Sequence, residues 1–276
     1  AYPPSTYDNH NVPEPEGWEH LNDIRYNNDP YAEDTLRCLN YLLTNAQVFT
    51  LQNSSDVENR DLNGGLTPLG LPPVPGTNNS KGIRWHGGYT YTNGHVLASM
   101  AVVGLGGTVA QVGPGGVVGK PFEYIVQEGV DWAVDGMNDH TVSGYPQGGW
   151  NYYPNSTRYD GSTTQWMYFG LEAAKRVMAN HGVYVNHYGH SMAAAAQVCG
   201  QDPSTGGLCY VGNSGCAWNG CARLNLTGGG IVGATLLEWE DPEQFDCPDN
   251  DQPYLPYSDI TRCEAHQSYE DFVDWL

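Results

Sequence analysis

The chain has 276 residues and carries 11 Lys and Arg against 31 Asp and Glu, a formal net charge of −20 at pH 7. Contacts to nucleic-acid phosphates and to anionic lipid headgroups need clustered cations, so this composition argues against both partners. A hydrophobic content of 39% suffices for the core of one large domain or two small ones, while 35 Gly and 18 Pro exclude a plain helical bundle and predict long ordered loops.

Several features predict an exported protein. The chain starts at Ala1 rather than Met, as expected when an export signal has been removed. No apolar run approaches the roughly 20 residues that cross a bilayer. The acidic charge is typical of a protein kept soluble outside the cell. Asn-x-Ser/Thr sequons that would permit glycosylation stand at Asn53, Asn78, Asn155 and Asn225.

The N-terminal part begins with a polar stretch and continues into a helix. Residues 1–28 are polar with interspersed aromatic side chains, which predicts an extended arm lying on a protein surface. Asp29 and Pro30 are typical of a helix start, and the helix is expected to end near Gln47. Cys38 lies on its apolar face and is predicted to be a buried free thiol.

The middle of the chain alternates loops with helices. Residues 52–90 form an Asn-, Gly- and Pro-rich loop of a length typical of functional or interface segments. Two helices are predicted next, from Asn93 to about Gly104 and from Lys120 to about Gly136. The second of these contributes the core candidates Phe122, Ile125, Val126, Val130 and Trp132.

A glycine-aromatic turn at 148–154 precedes the most strongly marked helix. Ser162 and Gln165 have the spacing of a capping box, and the helix is expected to reach about His181. Further helices are predicted at 186–199, at 225–239 and at 268–276. The alanine-rich helix at 186–199 has the small residues that let two helices approach closely.

Cysteines concentrate in the C-terminal third. Six of the seven follow residue 198, in sequence rich in turn residues, which favours disulfides over a zinc site because no Cys-x2-Cys pair exists. Pairings such as Cys199–Cys209, Cys216–Cys221 and Cys247–Cys263 are compatible with the spacing, and the connectivity stays open. The acidic loop around Cys247 offers hard oxygen ligands for calcium, with a solvated loop as the alternative, at Asp246, Asp249 and Asp251.

Four segments repeat one pattern, a small or polar start followed by a helix of small and apolar residues: 91–104, 159–174, 187–198 and 224–237. Units of this kind bury their faces only by stacking on neighbours. The pattern, above all Gly149-Trp150-Asn-Tyr152 with the 160–165 segment, resembles the prenyltransferase and squalene-cyclase-like repeats of α/α toroids.

The resemblance covers roughly residues 30–240 and implies a mainly α fold of α/α-hairpin repeats in a partial toroid, with long Gly/Pro-rich loops. It divides the chain into the arm at 1–28, a repeat domain at 29–240 and an acidic, stapled segment at 241–276 packed on that domain. An open arc of this kind exposes apolar flanks that a loop, the arm or another subunit would cover. The acid motif of triterpene cyclases is missing, because the chain contains no Asp-Asp dipeptide, so terpene cyclisation is disfavoured.

Two functions remain. The favoured one is a secreted, non-catalytic assembly or scaffold subunit that self-associates. The alternative is an extracellular toroid enzyme, a lyase or hydrolase, that acts on polysaccharide. For that alternative the groove candidates are Trp85, Trp150, Tyr152, Tyr153 and Trp218.

Candidate chemistry is sparse. Asp160 is the one catalytic candidate, although ordering the turn before the helix is its favoured role. The pair Glu33 and Asp34 follows no spacing rule for acid/base chemistry, and histidines at 181, 187 and 190 are more typical of ring stacking than of a metal site. No cofactor is expected other than calcium.

Overall fold

In the computed structural model, the described residues are 32–51, 70–103, 106–138, 141–142, 145–146, 148–158, 160–202, 205, 207–213, 217–219 and 224–237. They are mainly helical, which confirms the predicted fold class at that level. The α-helices are α1 (Ala32–Thr44), α2 (Thr90–Val102), α3 (Phe122–Asp135), α4 (Gly161–Val177), α5 (His187–Gly200) and α6 (Leu224–Leu236).

Short antiparallel strand pairs connect the helices within this part of the chain. They are β1 (Gln47–Thr50) with β2 (Lys81–Arg84), β3 (Thr141–Val142) with β4 (Tyr145–Pro146), and β5 (Val211–Asn213) with β6 (Ala217–Asn219). The first pair sets Gln47 opposite Arg84 and joins the end of α1 to the segment that leads into α2. These strands were not predicted, because runs of two to four residues carry too little alternation to be recognised.

Helix α1 buries Leu39 and Leu43, one turn apart, against the core. The prediction that Cys38 is buried is wrong, since its thiol is exposed. Cys38 precedes Leu39 by one residue and therefore points about 100° around the helix from the buried stripe.

Helix α3 lies at the centre of the core. All five of its predicted core residues are buried, and so are its polar residues Gln127, Glu128, Asp131 and Asp135. A helix buried on all its faces is expected at the middle of a packed domain. The neighbouring helices are arranged around it and around α4.

Glycines allow α4 to touch α2 and α6 at backbone distance. A Cβ atom added to Gly94 of α2 would lie 2.4 Å from the carbonyl oxygen of Trp166, and one added to Gly170 of α4 would lie 2.6 Å from the carbonyl oxygen of Gly94. On the other side, a Cβ at Gly233 of α6 would lie 2.7 Å from the Tyr168 ring. Close approach was predicted for α5 as well, and there a Cβ added to Gly189 would lie 2.8 Å from Cγ2 of Val134 on α3.

Two buried tryptophans are fixed before α2 and α4 by the same device. The N–H of Trp85 donates to Oδ1 of Asn93 (2.6 Å), and Nδ2 of Asn93 donates to the carbonyl oxygen of Trp85 (2.9 Å). The N–H of Trp150 donates to Oγ1 of Thr164 (3.0 Å), which donates to the carbonyl oxygen of Trp150 (3.1 Å). We call these arrangements the first clamp and the second clamp.

The clamps share further features. Asn93 and Thr164 each occupy the fourth position of their helix. A pair of glycines with positive φ adjoins each tryptophan, at 87–88 after Trp85 and at 148–149 before Trp150. Because the order of glycines and tryptophan is reversed between the two, a linear alignment of the sequence does not superimpose them.

Candidate functional site

Aromatic side chains from three segments meet at an exposed part of the described structure, and we call this group the aromatic surface. Its most exposed members are Tyr153 (56% exposed), Phe169 (44%) and Tyr152 (41%). Clusters of exposed apolar rings on a protein surface usually mark an interaction site. The full set is Tyr89, Tyr91, His95, Tyr152, Tyr153, Trp166 and Phe169.

The glycine contact between α2 and α4 brings these rings together. Tyr91 and His95 are one turn apart on α2 and flank Gly94. Trp166 and Phe169 are one turn apart on α4, and the Trp166 carbonyl is the group that approaches Gly94. Because Gly94 has no side chain, α2 and α4 approach closely enough for the two pairs of rings to touch.

Trp166 is the hub of this ring cluster. Its ring centroid lies 4.0 Å from that of His95 and 5.9 Å from that of Tyr91, which it meets edge-on. Phe169 meets it edge-on at 6.4 Å. Tyr91 also stacks with Tyr152 at 6.4 Å and an interplanar angle of 11°. Edge-to-face and offset contacts at these distances are the favourable geometries for aromatic pairs.

Tyr89 and Tyr153 form the other end of the surface. Their ring centroids are 4.8 Å apart, and the Tyr153 hydroxyl donates to the Tyr89 hydroxyl at 2.7 Å. This hydrogen bond raises the pKa of Tyr153 above its ordinary value. This end of the aromatic surface therefore offers two ring faces and two hydroxyl groups.

His95 contributes an uncharged ring as well. Burial lowers the pKa of His95 below its ordinary value of 6.5, because the imidazolium form loses hydration against the neighbouring rings. None of the seven members of the aromatic surface is an Asp, Glu, Lys or Arg, although the whole chain has a net charge of −20.

The structure separates the predicted groove residues. Tyr152 and Tyr153 lie on the aromatic surface, whereas Trp85 and Trp150 are buried, at 2% and 0% exposed, and do not belong to it. Trp150 in particular is fixed in the core next to α3, where its Nε1 donates to the Ala133 carbonyl at 2.8 Å, so the prediction that it lines a groove is wrong. The side chain of Trp218 lies outside the described residues.

Five members of the aromatic surface were missed by sequence reasoning: Tyr89, Tyr91, His95, Trp166 and Phe169. A signal existed, since aromatic residues at one-turn spacing flank Gly94 in α2 and recur beside Gly170 in α4. Without knowledge of which helices cross at those glycines, the two pairs could not be joined into one surface.

Asp160 is the N-cap of α4. Its Oδ1 accepts from the backbone N–H of Ser162 (2.9 Å) and of Thr163 (3.1 Å), and its side chain is 7% exposed. The predicted cap at Ser162 is therefore wrong by two residues. Asp160 caps the helix instead, because its carboxylate already accepts from the first free amides. This role agrees with turn ordering and leaves the carboxylate engaged.

Glu128, Asp131 and Asp135 of α3 are buried rather than presented at an open groove. Glu128 is 1% exposed and accepts from Nδ2 of Asn79 at 2.6 Å, while Asp131 accepts from Nε2 of Gln127 at 2.9 Å. Burial, followed by the hydrogen bond to Glu128, raises the pKa of Tyr124. These groups form a polar layer inside the core.

Metal-ligating groups do not cluster in the described part of the chain, where no three His, Cys, Asp or Glu side chains come together. Asp34 forms an exposed ion pair with Arg37 at 3.6 Å, and the side chain of Glu33 lies outside the described residues. The calcium candidates at 246–251, the arm at 1–28 and the segment at 241–276 lie outside the described residues.

The cysteine predictions stay predictions. Cys209 is buried, and the side chain of Cys199, its proposed partner, lies outside the described residues. The other proposed pairs lie outside the described residues. Of the sequons, Asn78 is exposed and Asn155 is half-buried with a positive φ, so the former is the more accessible acceptor.

Comparison of the chain with known protein families, with curated proteins and with solved structures found no match. The likeness to α/α toroids thus stays a prediction based on the repeated turn-helix units. None of the helices in the described ranges combines the length and the apolar character needed to span a membrane.

Proposed function

We propose that this protein is an extracellular, non-catalytic α/α-repeat subunit that self-associates, with the aromatic surface as a main contact between copies. The observation that carries the proposal is an uncharged cluster of exposed rings on a chain with a net charge of −20. The finer fold, a partial α/α toroid, belongs to the same proposal and is supported by the two clamps, which set successive helices against α3 in the same way.

The composition of the aromatic surface favours a protein contact. Tyr, Trp and Phe are enriched at the centres of interfaces, and charged residues are depleted there. Tyr and Trp also account for a large share of the residues that dominate binding free energy. Tyr153 and Phe169 leave about half of their side chains in solvent in the single chain, so apolar area remains to be buried by a partner.

The net negative charge of the chain influences which surfaces of two copies can come into contact. Copies that are both strongly acidic repel each other at long range, and added salt screens this repulsion. An uncharged patch is the region where short-range apolar contact meets the least electrostatic opposition. Self-association through the aromatic surface is therefore expected to strengthen as the salt concentration rises.

Removal of the most exposed rings tests this proposal. A double variant, Tyr153→Ala with Phe169→Ala, is compared with wild type by size-exclusion chromatography with light scattering over a series of protein concentrations. Wild type is expected to increase in mass with concentration, and the double variant to remain monomeric or need at least about tenfold more protein.

The matched control is Tyr41→Ala, which removes a tyrosine that is 67% exposed on α1 and takes no part in the ring cluster. It is expected to associate like wild type. If the double variant associates as wild type does, or if Tyr41→Ala abolishes association equally, the aromatic surface is not the contact.

A second candidate, polysaccharide binding at the same surface, is favoured by one observation. The Tyr89 and Tyr153 hydroxyls lie 2.7 Å apart beside exposed ring faces, which combines apolar area with polar tips as sugar rings require. Co-sedimentation with insoluble neutral polysaccharides tests it. Binding that the double variant loses, without any wild-type self-association, would favour this candidate over assembly, and turnover of the polysaccharide would be needed before an enzyme is considered.

A further inference from the structure

Two exposed tyrosines, Tyr89 and Tyr153, are in direct contact at one end of the aromatic surface. Their ring centroids are 4.8 Å apart at an interplanar angle of 38°, and the Tyr153 hydroxyl donates to the Tyr89 hydroxyl at 2.7 Å. The two residues are 64 positions apart in the chain. Tyr89 is 39% exposed and Tyr153 is 56% exposed, so reagents in solvent can reach both phenols.

The ring carbons that bear the two hydroxyls are in van der Waals contact. In a tyrosine side chain, Cζ lies about halfway between the ring centroid and the hydroxyl oxygen. The two Cζ atoms are therefore no farther apart than the mean of the centroid distance and the hydroxyl distance, which falls within the roughly 3.5–4.0 Å of a carbon–carbon contact. Because the ortho carbons Cε1 and Cε2 are bonded to Cζ, the ortho carbons of each ring lie one bond away from that contact.

The backbone holds the two tyrosines in this position. The N–H of Thr90 donates to the Tyr152 carbonyl oxygen at 3.1 Å, and the Thr90 hydroxyl donates to the Asn151 carbonyl oxygen. Thr90 is buried and directly follows Tyr89, while Tyr152 directly precedes Tyr153. The two phenols are therefore brought together by the fold before any reaction, and such proximity accelerates a reaction between two groups.

Other exposed tyrosines of the described structure provide internal comparisons. Tyr91 and Tyr152 stack with nearly parallel rings, but their centroids are 6.4 Å apart, against 4.8 Å for Tyr89 and Tyr153. Tyr41 on α1 is 67% exposed, more than any of these four, and takes no part in the ring cluster. Exposure and stacking therefore occur elsewhere, whereas the short hydroxyl contact distinguishes the pair of Tyr89 and Tyr153.

We propose that Tyr89 and Tyr153 are a site of oxidative cross-linking, where a carbon–carbon bond between an ortho carbon of each ring forms dityrosine within one chain. The oxidant is hydrogen peroxide, which acts through a haem peroxidase. The cross-link joins the turn before α2 to the loop before α4. A covalent bond at this place closes a long loop and restricts the unfolded chain, which stabilises the folded state.

The reaction is a two-electron oxidation of the pair. Each phenol loses one electron and its hydroxyl proton and becomes a phenoxyl radical, whose unpaired electron is shared with the ortho carbons. The two radicals combine by forming one Cε–Cε bond. The C–H bond at each joined carbon then breaks, and its proton passes through solvent to the phenol oxygen, which restores both aromatic rings and both hydroxyls. In total, two electrons and two protons leave the pair, and one hydrogen peroxide takes them up and becomes two water molecules.

This inference goes beyond the assembly proposal and does not depend on it, because both phenols belong to one chain. A monomeric protein can form the cross-link, and a self-associating protein can lack it. The two proposals therefore fail separately: the size of the native protein tests assembly, and the covalent structure of the oxidised monomer tests the cross-link.

The test treats dilute, monomeric wild-type protein with a haem peroxidase and a stoichiometric amount of hydrogen peroxide. Cleavage after glutamate then places Tyr89 in the fragment 59–123 and Tyr153 in the fragment 129–172. Mass spectrometry is expected to find these two fragments joined, with a mass lower than their sum by two hydrogen atoms. Tandem spectra are expected to locate the bond at Tyr89 and Tyr153 rather than at Tyr91 and Tyr152, which lie in the same two fragments.

Two variants sharpen the result. Tyr153→Phe keeps the ring and removes one phenol, and it is expected to lower the amount of joined fragments at least about tenfold. The matched control, Tyr41→Phe, removes an exposed phenol outside the pair and is expected to leave that amount unchanged. Wild-type fragments that stay separate, or that are joined at Tyr91 and Tyr152, would overturn the inference, and so would an unchanged amount in Tyr153→Phe. The wild-type fragments alone decide the first point, so the test holds even if a variant fails to fold.

Discussion

The first and second clamps solve one problem with different residues. Each ties the backbone of a buried tryptophan to a side chain in the first turn of the next helix, by Asn93 in one case and Thr164 in the other. In the second clamp, Asp160 caps helix α4, and the indole N–H of Trp150 donates to the Ala133 carbonyl. The first clamp has no side-chain cap at α2, and the indole N–H of Trp85 has no acceptor among the described residues.

The two clamps therefore differ in how completely their polar groups are hydrogen-bonded within the described structure. The second clamp is expected to be the more rigid one, because the N–H, the carbonyl and the indole N–H of Trp150 all have partners within the fold. The first clamp accepts an open donor in the core, which natural proteins tolerate mainly where a ligand or water completes it. The same substitution can therefore be made in both clamps, and we expect it to lower the free energy of unfolding by different amounts.

The largest expected difference concerns the glycines with positive φ. A Cβ at Gly148 would lie 1.8 Å from the Met192 carbonyl oxygen, whereas a Cβ at Gly87 meets no atom within 4 Å. Gly148→Ala is expected to lower the free energy of unfolding by about 3–5 kcal/mol or to prevent folding, and Gly87→Ala by only about 1–2 kcal/mol from backbone strain. Urea denaturation of both variants measures this, and equal losses would show that the second clamp is no more tightly packed than the first.

The next largest effect concerns the indoles. Trp150→Phe leaves the buried Ala133 carbonyl without its donor and is expected to cost about 2–4 kcal/mol. Trp85→Phe also removes ring volume but sacrifices no hydrogen bond within the described structure, so its loss is expected to be smaller by roughly 1–2 kcal/mol. The same urea series compares them, and a larger loss in Trp85→Phe would mean that its N–H is structurally engaged.

A smaller effect is expected at the cap of α4. Asp160→Ala removes the acceptor of two backbone amides and is expected to cost about 1 kcal/mol, while Asp160→Asn keeps a capping oxygen and should stay within about 0.5 kcal/mol of wild type. Thermal unfolding followed by circular dichroism resolves the two. Equal behaviour of both variants would contradict capping as the main role of Asp160.

The smallest effect concerns pH and His95. Because burial depresses the folded-state pKa of His95, its neutral form is favoured on folding, and this contribution is present above pH 6.5 and is lost as the pH falls through the folded pKa. Acidification from about pH 7.5 to about pH 5.5 should therefore destabilise wild type more than His95→Gln. Urea midpoints at both pH values measure the difference, and parallel losses would show that His95 titrates normally.

Sequence periodicity predicted the helices well and their surroundings poorly. The bounds of α2, α3 and α6 lie within a few residues of the predicted ones, because apolar spacing and glycine boundaries are local signals. The start of α4 was misplaced because Asp160 and Ser162 are both good caps, and only the backbone shows which one is used. The strands β1 and β2 are joined across a long sequence interval that local patterns do not report.

The candidate site was predicted only where exposure follows from position in a loop, as at Tyr152 and Tyr153. Trp85 and Trp150 have the same glycine-aromatic context, so sequence could not tell that they are buried. Their burial depends on Asn93 and Thr164, which lie in the next helix in each case.

The most direct test of the central claim is sedimentation velocity of the wild-type protein over a wide concentration series, at low salt and at roughly 0.5 M salt. Association through an uncharged surface predicts larger species that grow with concentration and become more abundant at high salt. A single species with the mass of one chain under all these conditions would contradict the proposed assembly role.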